Sequence, residues 1–106
     1  MVISQDMLEQ IKNLAEEREF TISERQKNID TFVRLKYVPP YLDDVAEVLI
    51  SLVLTDYVKG PEEDKDGFPG EVYVFKKSVD SLDIYIKIRV LEEDGMIYMT
   101  VISFHN

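Results

Sequence analysis

Ile84-Tyr85-Ile86-Lys87-Ile88-Arg89-Val90 decides the fold. Successive side chains of a β-strand project to opposite faces. This run therefore separates into Ile84, Ile86, Ile88 and Val90 on one side, with Tyr85, Lys87 and Arg89 on the other. The apolar set has to cover a core. The second set leaves an amphipathic, basic face on the far side of a sheet. The period of two persists on either side of the run. It predicts strands over Glu71–Lys77, Leu82–Leu91 and Met96–Phe104, separated by Ser78-Val79-Asp80-Ser81 and Glu92-Glu93-Asp94-Gly95. Connections this short favour an antiparallel meander.

Upstream the period is helical. Ser4 is placed to cap a helix from Gln5 to Arg18, with Met7, Leu8, Ile11 and Leu14 along one face. Phe20-Thr21-Ile22 is short and β-prone, a brief strand. Ser23 is positioned as the cap of a second helix, with Gln26 as its capping-box partner and Ile29, Phe32, Val33 and, at the end of the stripe, Lys36 on the inner face. Pro39-Pro40 ends it. Asp43 or Asp44 opens a third helix carrying Val45, Val48, Leu49 and Leu52, and its acidic first turn complements the helix dipole. The organisation expected is a single domain over 1–106: a helical lead 1–58, an acidic loop 59–70 and an antiparallel β-meander 71–106. The fold class is α+β, with N-terminal helices packed on a small three-stranded or slightly larger antiparallel sheet.

Composition narrows the function. Hydrophobic residues make up 45% of the 106 and charged residues 31%, the proportions of a water-soluble globular domain. No apolar run reaches the ~18 residues of a membrane span. Met-Val-Ile-Ser-Gln-Asp has no basic region followed by an apolar core, so no signal peptide is expected and a cytoplasmic location is. Cysteine is absent and histidine occurs once, which argues against disulfides, thiolate metal sites and zinc. No cofactor and no metal are expected. The net charge is −9, and most of the excess falls between residues 41 and 66, where two Lys/Arg face eight Asp/Glu. Tight nonspecific nucleic-acid binding is thereby disfavoured, although a local basic pocket is not. No helix clusters basic residues as a recognition helix does, so direct DNA binding is not expected.

Two constellations invite chemistry. Glu62-x-Asp64-x-Asp66-Gly67 copies the first half of a calcium loop, but Tyr73 stands where the bidentate Glu is needed, so the reading is a solvated acidic loop. Gly67-Phe68-Pro69-Gly70 is a turn element. The second constellation is Lys59, Tyr85, Lys87, Arg89 and His105. Cutting RNA without a metal requires a base for the ribose 2′-OH, an acid for the leaving oxygen and cations for the phosphorane charge. These side chains supply those types, His being the natural acid or base near neutral pH. Taken singly, each is equally an ordinary solvated residue on a strand face.

Four blocks in register add a resemblance. Leu52 to Pro61 (Leu-x-x-x-Asp-Tyr-x-Lys-Gly-Pro), Pro69 to Phe75, Ile84 to Ile88 (Ile-Tyr-Ile-Lys-Ile) and Ile102 to His105 (Ile-Ser-Phe-His) resemble the MqsR family. Those proteins are RelE-like mRNA interferases, the toxins of bacterial toxin–antitoxin pairs that act in stress responses. The resemblance covers about residues 45–106. It implies a RelE-like fold and a metal-independent endoribonuclease with mRNA as substrate. Its partner would be an antitoxin of zinc-finger or helix-turn-helix type. The family's essential lysine falls on Lys59, its strand tyrosine on Tyr85 followed by Lys87, and its C-terminal basic residue on His105. The resemblance implies His105 or Lys59 as base, Tyr85 or His105 as acid, and Lys59, Lys87 and Arg89 on phosphates. A glutamine of the best-known branch is replaced by Gly70 or Glu71. The alternative expectation is a non-catalytic protein-binding module of the same fold, acting through its acidic surface.

Overall fold

The computed structural model describes residues 3–106; Met1 and Val2, part of the segment read above for a leader, lie outside the described residues. Ser4 caps helix α1 (Gln5–Glu16) as its position predicts, its Oγ accepting from the Met7 N–H at 3.0 Å. Leu8, Ile11 and Ala15 face inward. The helix stops two residues earlier than expected because Arg18 takes a left-handed conformation (φ +58°). The Glu19 N–H then reaches Leu14 O at 2.8 Å and the Arg18 N–H reaches Ala15 O, closing the end as a Schellman motif. Arg18 also donates to Asp43 at 2.9 Å and so clips α1 to the next-but-one helix.

Helix α2 (Gln26–Arg34) corrects two expectations. Its N-cap is Arg25, without a side-chain cap, and Ser23 is not the cap. Ser23 instead continues the chain from the brief strand β1 (Thr21–Ile22), its N–H donating to Val101 O at 2.9 Å. The buried face runs through Asn28, Thr31, Phe32 and Leu35, while Val33 is 67% exposed and Lys36 is exposed too. The face is rotated because Asn28 is drawn inward to serve backbone groups, as described below. Helix α3 (Leu42–Ile50) has Asp43 and Asp44 in its first turn and buries Val45, Ala46, Val48 and Leu49. A 3₁₀ turn (Leu54–Asp56) leads into the sheet.

Among the described residues the sheet has five strands, where three or slightly more were expected: β1, then β2 (Tyr57–Glu62), β3 (Glu71–Val79), β4 (Leu82–Glu93) and β5 (Met96–His105), in the order β1-β5-β4-β3-β2. The meander β3-β4-β5 is antiparallel as expected, and β1 joins β5 in parallel, so the sheet is mixed. Strand β2 takes Lys59 and Pro61 out of the segment expected to be loop. Its pairing is broken by register shifts on both sides of Lys59, which is how an edge strand accommodates a proline and Gly60. Gly60 has φ +121°, and a Cβ there would meet Val72 O at 2.5 Å, so only glycine fits.

The hairpins close at Asp80-Ser81 and Asp94-Gly95, every one of these residues having positive φ, as a two-residue type I′ turn demands. The strands accordingly run further than the expected separators allowed. Ile84, Ile86 and Ile88 are fully buried and Val90 nearly so. They pack with Tyr73, Phe75, Met99, Val101 and Phe104 against the helices. Fully burying one such side chain contributes roughly 1.5–3 kcal/mol. The helices therefore take one face of the sheet and leave the other for the site. No helix among the described residues is long and apolar enough to cross a membrane.

Candidate functional site

The face opposite the helices is built in rows, because directly paired residues of neighbouring strands point to the same side. Lys76, Tyr85 and His105 form one row across β3, β4 and β5. The Tyr85 and His105 rings stack, with centroids 5.5 Å apart and planes at 30°. An open cleft of about 620 Å³ adjoins this row, lined by Lys76, Ser78, Asp83, Tyr85, His105 and Asn106 among others. The next row is Val74, Lys87 and Ser103, with Lys59 beyond Val74 at the sheet edge. The third is Val72, Arg89 and Thr100.

A phase slip in β5 puts His105 on this face. Ile97, Met99 and Val101 point into the core, and strict alternation would send Ser103 and His105 there too. The register shifts by one residue between the Lys87–Ser103 and Ile88–Val101 pairs. A bulge at Val101-Ile102 thus turns Phe104 into the core and brings Ser103 and His105 out beside Lys87 and Tyr85. Asn28 holds the bulge. Its Nδ2 donates to Ile102 O at 3.0 Å and to Ser23 O at 2.9 Å, and its Oδ1 accepts from the Phe104 N–H at 2.8 Å. Asn28 is fully buried. Its amide continues the β5 ladder where β1 ends.

The five residues singled out in the sequence do not all meet. Tyr85 and His105 are in contact, and Lys87 sits one row away. Lys59 lies on the same face two strands from β4, about 10 Å by strand spacing, and its Nζ is 3.6 Å from Glu62. Arg89 is occupied: its guanidinium donates to Asp64 at 2.9 Å and lies 4.7 Å from the centre of the Phe68 ring. The acidic loop is consequently a strap folded over the face. The expectation that it is simply solvated is corrected for Asp64, which is buried. The Asp66 N–H, bonded to Asp64 at 2.8 Å, and then the Arg89 guanidinium hold the Asp64 carboxyl below its ordinary range. Glu71 accepts from the Tyr73 hydroxyl at 2.7 Å; burial first, and then that carboxylate, push the phenol well above its ordinary value. No group of three or more His, Asp or Glu suited to a metal gathers among the described residues.

Three contributors escaped sequence reasoning. Lys76 was hidden because Val72-Tyr73-Val74-Phe75 is apolar on both faces, which leaves β3 without a readable phase. Arg25 reaches the site from the start of α2, its Nη1 donating to Ser103 Oγ at 3.2 Å, and only the tertiary fold brings it there. Asn28 carried a weak signal, a polar residue one turn before Phe32 on an otherwise apolar stripe. In comparison with known proteins, the chain matches no family model and no curated protein.

Proposed function

We propose that the protein is a metal-independent endoribonuclease of the toxin class, cutting mRNA at the Tyr85–His105 pair. The carrying observation is that ring pair on the solvent-facing side of the sheet, with Lys76 directly beside it and Lys87 one row away. An imidazole and a phenol in contact, flanked by ammonium groups, supply the proton-transfer and charge-stabilising groups that phosphodiester cleavage needs. In the proposed reaction His105 takes the proton of a ribose 2′-OH, and the oxygen attacks the adjacent phosphorus. The bond from phosphorus to the 5′-oxygen breaks, and that oxygen leaves with a proton from Tyr85. The products are a 2′,3′-cyclic phosphate and a 5′-hydroxyl. Lys76 offsets the phosphorane charge, and Lys87, one row away, faces a neighbouring phosphate. Lys59, facing Glu62, and Arg89, facing Asp64, would act on more distant phosphates only after exchanging those carboxylates.

As a toxin the protein would be paired with an antitoxin of zinc-finger or helix-turn-helix type that covers this face or holds the domain from behind, and it would act in the cytoplasm. The test is incubation of the purified protein with single-stranded RNA in the presence of a chelator, followed by analysis of the ends. Cleavage leaving cyclic phosphate ends, lost in His105→Ala and in Tyr85→Phe, is the expected result. Intact RNA from a folded wild-type protein, free or with ribosomes, overturns it and leaves the protein-binding module of the same fold.

A further inference from the structure

Resting on the phosphodiester-cleaving reading, the geometry points to a second phosphate subsite formed by Lys87 and Arg25, with Ser103 positioning Arg25, one nucleotide step from the scissile phosphate. Lys87 and Ser103 are directly paired on β4 and β5, which puts their Cβ atoms about 5 Å apart on the same face. Arg25, at the start of α2, meets the Ser103 hydroxyl at 3.2 Å. That contact uses one of the five guanidinium N–H donors, leaving the others for a ligand. Ser103 is itself buried, so its Oγ, accepting from Arg25, positions that guanidinium beside Lys87. Neither Lys87 nor Arg25 makes an ion pair among the described residues, unlike Lys59, Lys77 and Arg89.

Spacing then fixes the relation to the reacting centre. The Lys87–Ser103 row lies two residues along the strands from the Tyr85–His105 row, about 6.7 Å. This is the reach of one nucleotide in an extended strand, so phosphates at the two rows belong to adjacent linkages. Beyond the second row the track ends. In the third row the Arg89 guanidinium is taken by the buried Asp64 carboxylate, which leaves no unpaired cation there for a third phosphate. The ligand is thus an extended single strand engaged through two consecutive phosphodiesters.

The experiment measures fluorescence-anisotropy binding of a labelled 2′-O-methyl heptauridylate, which cannot be cleaved, over a salt series. Each phosphate contact on a single strand contributes about 0.7 to the slope of log K against log salt. The expected slope is therefore about −1.4 for the wild type and about −0.7 for Arg25→Ala/Lys87→Ala, with Arg25→Lys staying near the wild type. Cleavage of unmodified tri- and diuridylates is the second readout, and Arg25→Ala should lower kcat/KM for the trinucleotide at least fivefold more than for the dinucleotide. A slope unmoved by the double variant, or no salt-dependent binding by the wild type, overturns the subsite. An equal loss on both substrates, or no loss on either, does so too. Binding with the expected slopes but no cleavage retains the subsite and sinks the catalytic reading. Cleavage without the slope change does the reverse.

Discussion

Replacing Asn28 with alanine strips the hydrogen bonds from three backbone groups at once: the carbonyls of Ser23 and Ile102 and the N–H of Phe104. Each buried polar group left without its partner costs about 1–3 kcal/mol. Local relaxation and entry of water reduce the sum, so the net expected loss is about 3–5 kcal/mol, a large share of the ~5–15 kcal/mol that stabilises a typical domain. Urea unfolding followed by circular dichroism measures it, with an unchanged m-value as the condition for reading the shift as stability. Asn28→Asp sharpens the test. The carboxylate keeps the acceptor for Phe104 N–H but turns an anion towards two carbonyl oxygens, which raises its pKa above that of the unfolded chain. A group with a raised folded-state pKa contributes stability at low pH that is lost as pH rises through that pKa. The deficit of Asn28→Asp should therefore be largest at pH 7 and shrink towards pH 4. A loss below about 1 kcal/mol in Asn28→Ala would refute the claim that this amide pins the β5 bulge, as would a pH-independent deficit in Asn28→Asp.

Other expected outcomes follow from the same geometry. Gly70 has φ +113°, and a Cβ there would lie 2.8 Å from Val90 O. Gly70→Ala should consequently cost about 2–4 kcal/mol and lower the melting temperature by ~10–20 °C; a drop under 4 °C would count against the close approach of the strap to β4. Ser81 sits at φ +69° in the β3–β4 turn, so Ser81→Gly should stabilise by about 0.5–1 kcal/mol in thermal melts, and destabilisation would contradict the turn type. The lowered carboxyl of Asp64 gives stability that is present above the unfolded carboxylate pKa and lost as pH falls through its folded value. Amide exchange at residues 65–70 should accelerate below pH 4 and should already be fast at pH 7 in Asp64→Asn. At the alkaline end, burial and then Asp44 and Asp80 push the Tyr37 phenol up to about 12. Stability should fall as pH rises from the ordinary phenol value towards that one, and Tyr37→Phe should weaken this dependence.

The elements legible in advance are those where local pattern and tertiary demand agree. Strand β4 alternates because one face meets the helices and the other meets solvent, and α1 carries a cap and an apolar stripe that its neighbours reinforce. Where tertiary demand overrides the pattern, the sequence is silent. Lys59-Gly60-Pro61 carries the marks of a loop, and it becomes an edge strand because β3 offers a ladder and Gly60 can fold flat against Val72. In β5 the consecutive apolar pair Val101-Ile102 conceals a change of phase, with no composition cue for the bulge between Thr100 and Ser103. The orientation of His105 depends on that bulge and on a buried asparagine, Asn28, far earlier in the chain. For Tyr85 and Lys87 the face was readable from β4 alone. For Lys76 and Arg25 it required knowing which strands and which helix end stand beside them.

A net charge of −9 is compatible with a phosphodiester substrate once charge is treated as local. At physiological ionic strength exposed charges are largely screened beyond about 8 Å. A phosphate at the Tyr85–His105 row therefore senses Lys76, Lys87 and the nearby Asp83 far more than the acidic turns of the helices behind the sheet. The acid on the working face is itself placed: Asp64 neutralises Arg89 and Glu62 faces Lys59, while Lys76, Lys87 and Arg25 are left without ion pairs among the described residues. On the proposed reading such a surface would hold two phosphates and disfavour a longer duplex backbone, where a uniformly basic one would bind any nucleic acid. Charge reversal at the strap separates these accounts. Asp64→Lys should strengthen binding of a long single strand and steepen its salt slope by about 0.7 for each phosphate gained. If the overall charge were what limits affinity, Asp43→Lys on α3, which changes the net charge equally but lies behind the sheet, would have the same effect. Equal responses of the two variants would refute the local account.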